Sequence, residues 1–377
     1  MLHERLNAQC LCMPVGAGAA LAAPHGVFLD RRMEAALSAQ TAAIGTRLRM
    51  LHPRENAVDN AGIFNSFDYH ITPGGPKLIE INVNAGGAFL QPAIAAALPV
   101  PPDCLQAVRP APPFSPVETI FNAWRQHAGT APLGRVAIVD TDPLSQPLYC
   151  DMQAAREALL ISGIACDILD VGELRFEGGR LTGPAGPIDM VYNRWTDFTW
   201  TTPQSLPLRL AHETGAALVA PNPDTWRAYA DKSLLIALAA DPLRPDAVLD
   251  AEPVTPDVAA DLWARRKQLV FKPLHGFGSR GVYRGDKISR RKWDEVVEGG
   301  YLAQALAPPG LRRMPTAAGL RPFKADIRVW THGDVPIHMA ARLSAGQVTG
   351  LSGESEGFAP IFWIGTEDAS GSDACLC

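Results

Sequence analysis

One stretch of the chain combines a lysine with a glycine-rich loop. Residues 268–283 read QLVFKPLHGFGSRGVY, so an apolar run ends in Lys272 and leads into three glycines. Glycine lets backbone N–H groups approach phosphate oxygens closely, and a lysine on the incoming strand adds positive charge. The pattern predicts a flexible flap over a nucleoside triphosphate. Its predicted contacts are Lys272, Gly276, Gly278, Ser279 and Gly281.

Other glycine loops share this spacing. The motif G-x-G-x-x-G alone is weak evidence for a dinucleotide fold, where it opens a helix, whereas Val282 and Tyr283 here predict a second strand. Protein kinases cover ATP with a similar hairpin, but their lysine follows the loop, and this chain has neither H-R-D nor D-F-G. A plain surface hairpin is the remaining alternative, and it leaves Lys272 unexplained.

A second group of charged residues lies later in the chain. Residues 324–330 read KADIRVW, and the alternation places Lys324, Asp326 and Arg328 on one face of a strand. A carboxylate between two cations suits magnesium-bound polyphosphate, with Asp326 on the metal and Arg328 on phosphate oxygens. Arg342 ends another apolar run, where a buried guanidinium requires an anion, either phosphate or Asp326. A solvated strand face is the alternative for 324–330.

An oxygen-rich strand lies much earlier. Residues 76–87 read PKLIEINVNAGG, a strand that runs into a glycine turn. Glu80 and Asn82 are two positions apart, so both side chains point to one face, as two oxygen ligands of a hard cation should. A plain strand with a polar outer face is the alternative. His70 lies in the same predicted hairpin, and its role is open.

The elements that must position these residues alternate between short β-branched strands and longer helical patterns, which predicts an α/β protein. Residues 134–222 read as one small open α/β layer. Its predicted elements are a strand at 135–139, a helix at 151–162 and strands at 165–169 and 187–192. Two proline-rich stretches, 99–116 and 308–322, read as a connector and a solvated loop.

Composition excludes several classes of function. The 377 residues include 39 acidic and 34 basic side chains, a net charge of −5, so no nucleic-acid partner is expected. No apolar run approaches the roughly 18 residues of a membrane span. Glu4, Pro14 and several glycines speak against a secretory leader, so a cytoplasmic protein is expected. The Cys-Leu-Cys pairs at 10–12 and 375–377 lack the usual zinc-ligand spacing, and no zinc is predicted.

Together these motifs resemble the ATP-grasp superfamily. Its members order two lysines, a flap, a hinge segment on the adenine, an acidic strand and an arginine. The matching residues are Lys232, Lys272 with the glycine flap, Gln304, Asp326, Arg328 and Arg342. The family normally ends in a Glu-x-Asn strand, whereas Glu80 and Asn82 lie near the start here. That order is similar to circularly permuted members, namely eukaryotic glutathione synthetase and glutathionylspermidine synthetase.

The resemblance implies a small open α/β domain and two ATP-grasp subdomains that hold the nucleotide between them. Residues 134–222 would form the pre-ATP-grasp domain, and 226–305 the ATP-binding lid with its flap. Residues 1–125 and 306–377 would together form the catalytic subdomain. Arg194 is a candidate substrate clamp, and an interdomain salt bridge is the alternative role for it.

The implied activity is that of a Mg-ATP-dependent ligase, in which a carboxylate is phosphorylated and an amine or thiol then displaces phosphate. The implied metal ligands are Glu80, Asn82 and Asp326. The implied catalytic cations are Lys272, Arg328 and Arg342. The implied nucleotide contacts are Lys232, Lys272, Gln304 and the flap. The implied partners are a small-molecule or peptide carboxylate and an amine, and a homodimer is compatible with the sequence.

One departure from the permuted members keeps other functions open. Gly350 stands where an asparagine is expected, and Glu354 and Glu356 interrupt a glycine-rich run. A nucleotide-binding sensor without turnover is therefore an alternative. A small-molecule kinase on the same fold is another.

Overall fold

The computed structural model describes residues 21–51, 62–98, 108–110, 112–276, 281–316, 318–346 and 356–365. The predicted flap contacts Gly278 and Ser279 lie outside these ranges, as do Gly350 and both Cys-Leu-Cys pairs. The described residues form a mixture of helices and sheets, as predicted. None of the helices within these ranges is long and apolar enough to cross a bilayer.

The elements are numbered along the chain. The helices in the described ranges are α1 (Arg31–Leu51), α2 (Gln91–Ala97), α3 (Pro116–Ala128), α4 (Tyr149–Ile161), α5 (Leu206–Glu213), α6 (Pro223–Tyr229), α7 (Ser233–Ala240), α8 (Ala259–Ala264) and α9 (Arg290–Val297). The strands are β1 (Val27–Asp30), β2 (Asn65–Thr72), β3 (Gly75–Asn82), β4 (Val108–Pro110), β5 (Arg135–Asp140), β6 (Ala165–Asp170), β7 (Arg175–Glu177), β8 (Arg180–Gly183), β9 (Gly186–Pro187), β10 (Met190–Asn193), β11 (Leu218–Ala220), β12 (Ala251–Pro253), β13 (Leu269–Pro273), β14 (Tyr283–Arg284), β15 (Tyr301–Ala305), β16 (Gly310–Thr316), β17 (Gly319–His332), β18 (Val335–Ser344), β19 (Gly357–Ala359) and β20 (Ile361–Ile364).

A six-stranded antiparallel sheet, called the main sheet, has the order β19–β18–β17–β2–β3, with β16 paired to β17. Its strands alternate between apolar and charged side chains, so its two faces differ. Phe67 and Ile327 belong to the buried cluster that packs on α1, where Leu37 and Ile44 are buried. The charged positions of the same strands therefore face the other way.

A four-stranded antiparallel sheet, called the lid sheet, has the order β12–β15–β13–β14. Phe271 on β13 packs against Leu262 of α8 and Trp293 of α9, which cover one face. Lys272, the next residue on β13, points to the opposite face because successive side chains alternate. The strand, glycine loop and strand order expected for 268–283 is confirmed by the antiparallel pairing of β13 with β14.

The remaining main element is a parallel sheet in the order β11–β10–β5–β6. The predicted strands at 135–139 and 165–169 are confirmed as β5 and β6, and the predicted helix at 151–162 is confirmed as α4. The strand expected at 187–192 is present as β10, but it begins at Met190, and Pro187 belongs to the short β9 instead. The predicted domain boundaries stay predictions.

The solvated loop expected at 308–322 is also wrong. β16 and the first part of β17 pair there as a hairpin, with Pro315 opposite Leu320. Among the described strands, β16 pairs with β17 alone, so the missing N–H of Pro315 can face away from the ladder. The predicted connector at 99–116 likewise contains β4, and α3 begins at Pro116. In both stretches, prolines that lie in an edge strand or at the start of a helix led to the wrong prediction of a loop.

The lid sheet depends on a glycine at the end of β14. A Cβ atom on Gly285 would lie 1.8 Å from the Arg266 carbonyl oxygen, so the backbone of one segment must shift. We expect Gly285→Ala to lower the free energy of unfolding by about 1–3 kcal/mol, as overpacking does. Thermal unfolding measures the change. Gly74→Ala is the control, because its nearest neighbour would be the Thr72 hydroxyl at 3.8 Å. Equal losses in the two variants would contradict the steric argument.

Candidate functional site

A cleft of about 360 Å³ is lined by residues of both the main sheet and the lid sheet. We call it the intersheet cleft. Seven residues predicted from sequence line it, namely Glu80, Asn82, Lys272, Gln304, Asp326, Arg328 and Arg342. His70 and Lys324 line it as well. The fold thus brings together residues from the early oxygen-rich strand, the lysine strand and the late charged strands.

Lys272 ties the lid sheet to the main sheet. Its ammonium donates to the Ile79 carbonyl oxygen at 2.5 Å and to Gln304 Oε1 at 2.8 Å. Gln304 in turn donates to the Leu78 carbonyl oxygen at 3.4 Å. Burial lowers the pKa of Lys272 to about 8; the Glu80 carboxylate opposes this shift, and the Lys232 ammonium adds to it.

Lys232 is the second of the two lysines that the sequence predicts at the nucleotide. Its ammonium donates to the carbonyl oxygen of Gly276 at 2.5 Å and lies 4.0 Å from Glu80 Oε1. Gly281, the last glycine of the predicted flap, has a φ of 72°, a conformation that favours glycine. The two contacts of the Lys232 ammonium connect Gly276, the first glycine of the predicted flap, to β3, the strand that carries Glu80.

Two carboxylates and two guanidiniums form a buried cluster in the main sheet, here called the ion quartet: Asp68, Asp326, Arg328 and Arg342. Arg328 donates from Nε and Nη2 to the two oxygens of Asp68, at 2.8 and 2.7 Å. Arg342 donates in the same way to Asp326, at 2.9 Å for both bonds. Its Nη2 also lies 2.9 Å from Asp68 Oδ2. The quartet is formally neutral and joins three strands.

The charges of the quartet stabilise one another. Burial alone would raise the pKa of Asp68, but Arg328 and Arg342 outweigh it and lower that pKa. Burial alone would lower the pKa of Arg342, but Asp326 and Asp68 outweigh it and raise that pKa. The anion expected for Arg342 is thus present as two carboxylates of the chain itself.

Asp68 is the site residue that sequence reasoning missed. It is fully buried, on β2, directly opposite Arg328 of β17. The available signal was an acid within the run FDYH, two positions before His70 and so on the same face. His70 lines the cleft, and its Nδ1 donates to the Ala307 carbonyl oxygen at 2.7 Å.

Glu80 and Asn82 are the oxygen donors that fit a magnesium ion. Both line the cleft, and Asn82 Nδ2 lies 3.3 Å from Asp68 Oδ2. Within the described residues no three His, Cys, Asp or Glu side chains form a metal-binding group. Magnesium is typically held by one or two carboxylates together with substrate phosphates. The donor set therefore fits a cation that arrives with a polyphosphate.

A second cavity of about 350 Å³, the side cavity, adjoins the intersheet cleft, and Asn82 lines both. Its lining includes Lys232, Gly276 and residues 196–199, which follow β10 of the α/β layer. Trp226 on α6 also lines it and stacks on Phe198, with ring centroids 6.3 Å apart and an interplanar angle of 6°.

Arg194 lines neither cavity among the described residues. It is buried at the end of β10, where it donates to the Asn84 carbonyl oxygen in the loop after β3. Its guanidinium also lies 5.6 Å from the centre of the Tyr192 ring. In this structure Arg194 holds the α/β layer to the segment that follows Glu80 and Asn82.

No family model matches this sequence, and no curated protein sequence matches it. Solved structures do match its fold. A glutathione synthetase-like effector from Globodera pallida, in its apo form, matches with a TM-score of 0.55 at 10% identity, over 96% of this chain and 97% of that chain. That match shows an ATP-grasp-type fold, as the sequence motifs predict. The circular permutation stays a prediction.

Two further matches have lower TM-scores. A putative gamma-glutamylcysteine synthetase from Methylobacillus flagellatus KT matches at 0.44 and 13% identity, over 86% of this chain and 87% of that chain. The ATP-grasp ligase PsnB, complexed with minimal precursor, Mg and ADP, matches at 0.31 and 12% identity, over 60% of this chain and 87% of that chain.

The burial of Lys272 predicts an unusual titration. We expect its side chain to lose its proton as the pH rises through about 8, so that it is charged at pH 7. Most lysines titrate near pH 10.4. NMR titration of ¹³C-labelled lysine side chains measures this, and the signal that disappears in Lys272→Arg identifies the residue. A Lys272 signal that titrates with the other lysines would show that burial does not control its charge.

Proposed function

We propose that this chain is a Mg-ATP-dependent ligase that activates a carboxylate as an acyl phosphate and joins it to an amine or thiol. The observation that carries the proposal is the intersheet cleft, in which Lys272 of the lid sheet meets the oxygen donors Glu80 and Asn82 of the main sheet, while Lys232 in the adjoining side cavity lies 4.0 Å from Glu80. The ATP-grasp-type fold supports the same conclusion.

The nucleotide would lie between the two sheets. Val270 and Leu306 supply apolar surface for a base at the lid end of the cleft, next to Gln304. Lys272 and Lys232 would contact the phosphates, because the Lys272 ammonium lies 2.8 Å from Gln304 Oε1 and the Lys232 ammonium lies 4.0 Å from Glu80 Oε1. Binding a phosphate oxygen would replace the present backbone acceptors of these lysines with a charged one, which forms stronger hydrogen bonds.

Glu80 and Asn82 would hold magnesium, which when bound neutralises phosphate oxygens and orients the group to be transferred. Asp326 can join them as a metal ligand when Arg342 turns from its carboxylate toward a phosphate oxygen. Lys272 and Arg342 would then stabilise the negative charge that develops on the transferred phosphoryl group. Arg328 would act from the floor of the cleft, because Asp68 holds two of its donors.

The side cavity would take the acceptor, a small-molecule or peptide carboxylate. It meets the intersheet cleft at Asn82, and Lys232 lines it close to Glu80. A carboxylate there would lie beside the end of the polyphosphate, where its oxygen would attack the terminal phosphorus and ADP would leave. The amine or thiol would then approach the acyl phosphate from the same cavity, where the Asn84 and Thr196 side chains offer polar contacts.

A nucleotide-binding sensor without turnover is the second candidate. One observation favours it: both oxygens of Asp326 accept hydrogen bonds from Arg342, so this predicted metal ligand is already engaged. A sensor would bind Mg-ATP in the same cleft and release no ADP.

The deciding experiment measures ADP release from Mg-ATP with pooled amino acids, polyamines and short peptides, with and without hydroxylamine. We expect ADP together with a hydroxamate, the product of a trapped acyl phosphate. We expect Lys272→Ala and Glu80→Gln to reduce the rate by roughly 10²-fold or more, as loss of transition-state electrostatics does. The matched controls, Lys292→Ala and Glu118→Gln, change a half-buried and an exposed helix residue that line neither cavity, and they should keep the wild-type rate.

The possible outcomes separate the candidates. ADP without a hydroxamate, in the presence of a phosphorylated hydroxyl product, would indicate a kinase. Nucleotide binding without any ADP would favour the sensor. An absence of nucleotide binding would overturn the proposal.

A further inference from the structure

We propose that Asp68 is a positioning residue of the cleft, which orients the Asn82 amide so that its oxygen faces the cation site. The inference rests on the proposed function, since it assigns Asn82 to magnesium. Asp68 is fully buried and does not itself line the cleft among the described residues. Any effect on a ligand must therefore pass through its neighbours.

Three hydrogen bonds and one ion-pair contact converge on this carboxylate. Oδ1 accepts from Arg328 Nε at 2.8 Å, and Oδ2 accepts from Arg328 Nη2 at 2.7 Å. Oδ2 also lies 2.9 Å from Arg342 Nη2 and 3.3 Å from Asn82 Nδ2. A carboxylate has about four lone-pair sites, so little capacity remains for a metal ion. Asp68 thus acts as an acceptor for side chains that reach the cleft.

The charge of Asp68 determines which way the Asn82 amide points. A carboxylate attracts the amide N–H₂ group and repels the amide oxygen, so only one of the two amide orientations is stable beside it. With Nδ2 turned toward Asp68, Oδ1 lies on the opposite side of the amide, and Asn82 lines the cleft together with Glu80. Groups behind a metal ligand commonly control its affinity in this manner.

The position of Asp68 in the sheet fits this role. On β2 it is directly opposite Arg328 of β17 on one side and Glu80 of β3 on the other. The pairing with β3 shifts register immediately after Asp68. The residue therefore lies between the strand that carries the proposed metal ligands and the strand that carries the arginines.

The test compares Arg328→Gln with the double variant Asp68→Asn and Arg328→Gln. Arg328→Gln alone leaves the quartet with one net negative charge, whereas the double variant is neutral like the wild-type quartet, and Arg342 and Asn82 still contact Asp68 in the single variant. ADP binding is titrated by calorimetry over a range of Mg²⁺ concentrations and again in EDTA. We expect the double variant to require roughly 10–100-fold more Mg²⁺ for half-maximal ADP binding than Arg328→Gln does. In EDTA the double variant should bind ADP at least as tightly as Arg328→Gln does, because it has lost a negative charge behind the cleft.

A structural role for Asp68 predicts a different result, because it would weaken ADP binding in EDTA and in Mg²⁺ alike. That outcome, or an equal Mg²⁺ requirement in both variants, would overturn the inference. Asp241→Asn is the matched control, since Asp241 accepts two hydrogen bonds from Arg47, at 2.6 and 2.9 Å, outside both cavities. It should lower the melting temperature without changing the Mg²⁺ requirement.

The proposed function has its own readout in the wild-type protein. If wild-type protein binds ADP without any effect of Mg²⁺, both the proposed function and the inference fail. If wild-type protein requires Mg²⁺ and both Arg328 variants share that requirement, only the inference fails.

Discussion

The ion quartet is the constraint on which the geometry of the cleft depends. Buried charges are costly unless they are paired and hydrogen-bonded, and Asp68 and Asp326 meet that condition only when β2, β17 and β18 keep their present register. A slip by one residue would send Arg328 to the face where Ile327 now packs on α1. The quartet therefore specifies strand pairing, and through it the places of all cleft residues on these strands.

The lid sheet is attached to this framework by polar contacts. Lys272 and Gln304 reach across to the carbonyl oxygens of Ile79 and Leu78, the two residues that precede Glu80. The same contacts bury the ammonium, which explains the low pKa of Lys272. The Lys272 side chain thus joins the two sheets and also supplies the proposed phosphate contact.

Local patterns predicted much of this site, because alternation along a strand is visible in the sequence. It placed Lys324, Asp326 and Arg328 on one face, and all three line the cleft. Asp68 escaped detection because its importance comes from pairing with β17, about 260 positions later, which no local pattern reveals. The hairpin at 308–322 was hidden for a different reason: Pro315 is compatible with an edge strand, and a proline-rich sequence does not distinguish an edge from a loop.

The neutrality of the quartet has a consequence for the source of positive charge in the cleft. Arg328 and Arg342 are held in place by carboxylates that also cancel their charge. They can therefore orient a ligand by hydrogen bonding, but they add no net positive charge that would attract it. Lys232 and Lys272 face Glu80, which leaves a single net positive charge beside that carboxylate, and Lys324 adds one more to the cleft. A nucleoside polyphosphate carries several negative charges, and a low-dielectric site tolerates uncompensated charge poorly. The chain alone therefore falls short of neutralising such a ligand. A divalent cation held by Glu80, Asn82 and the phosphates would supply the missing positive charge.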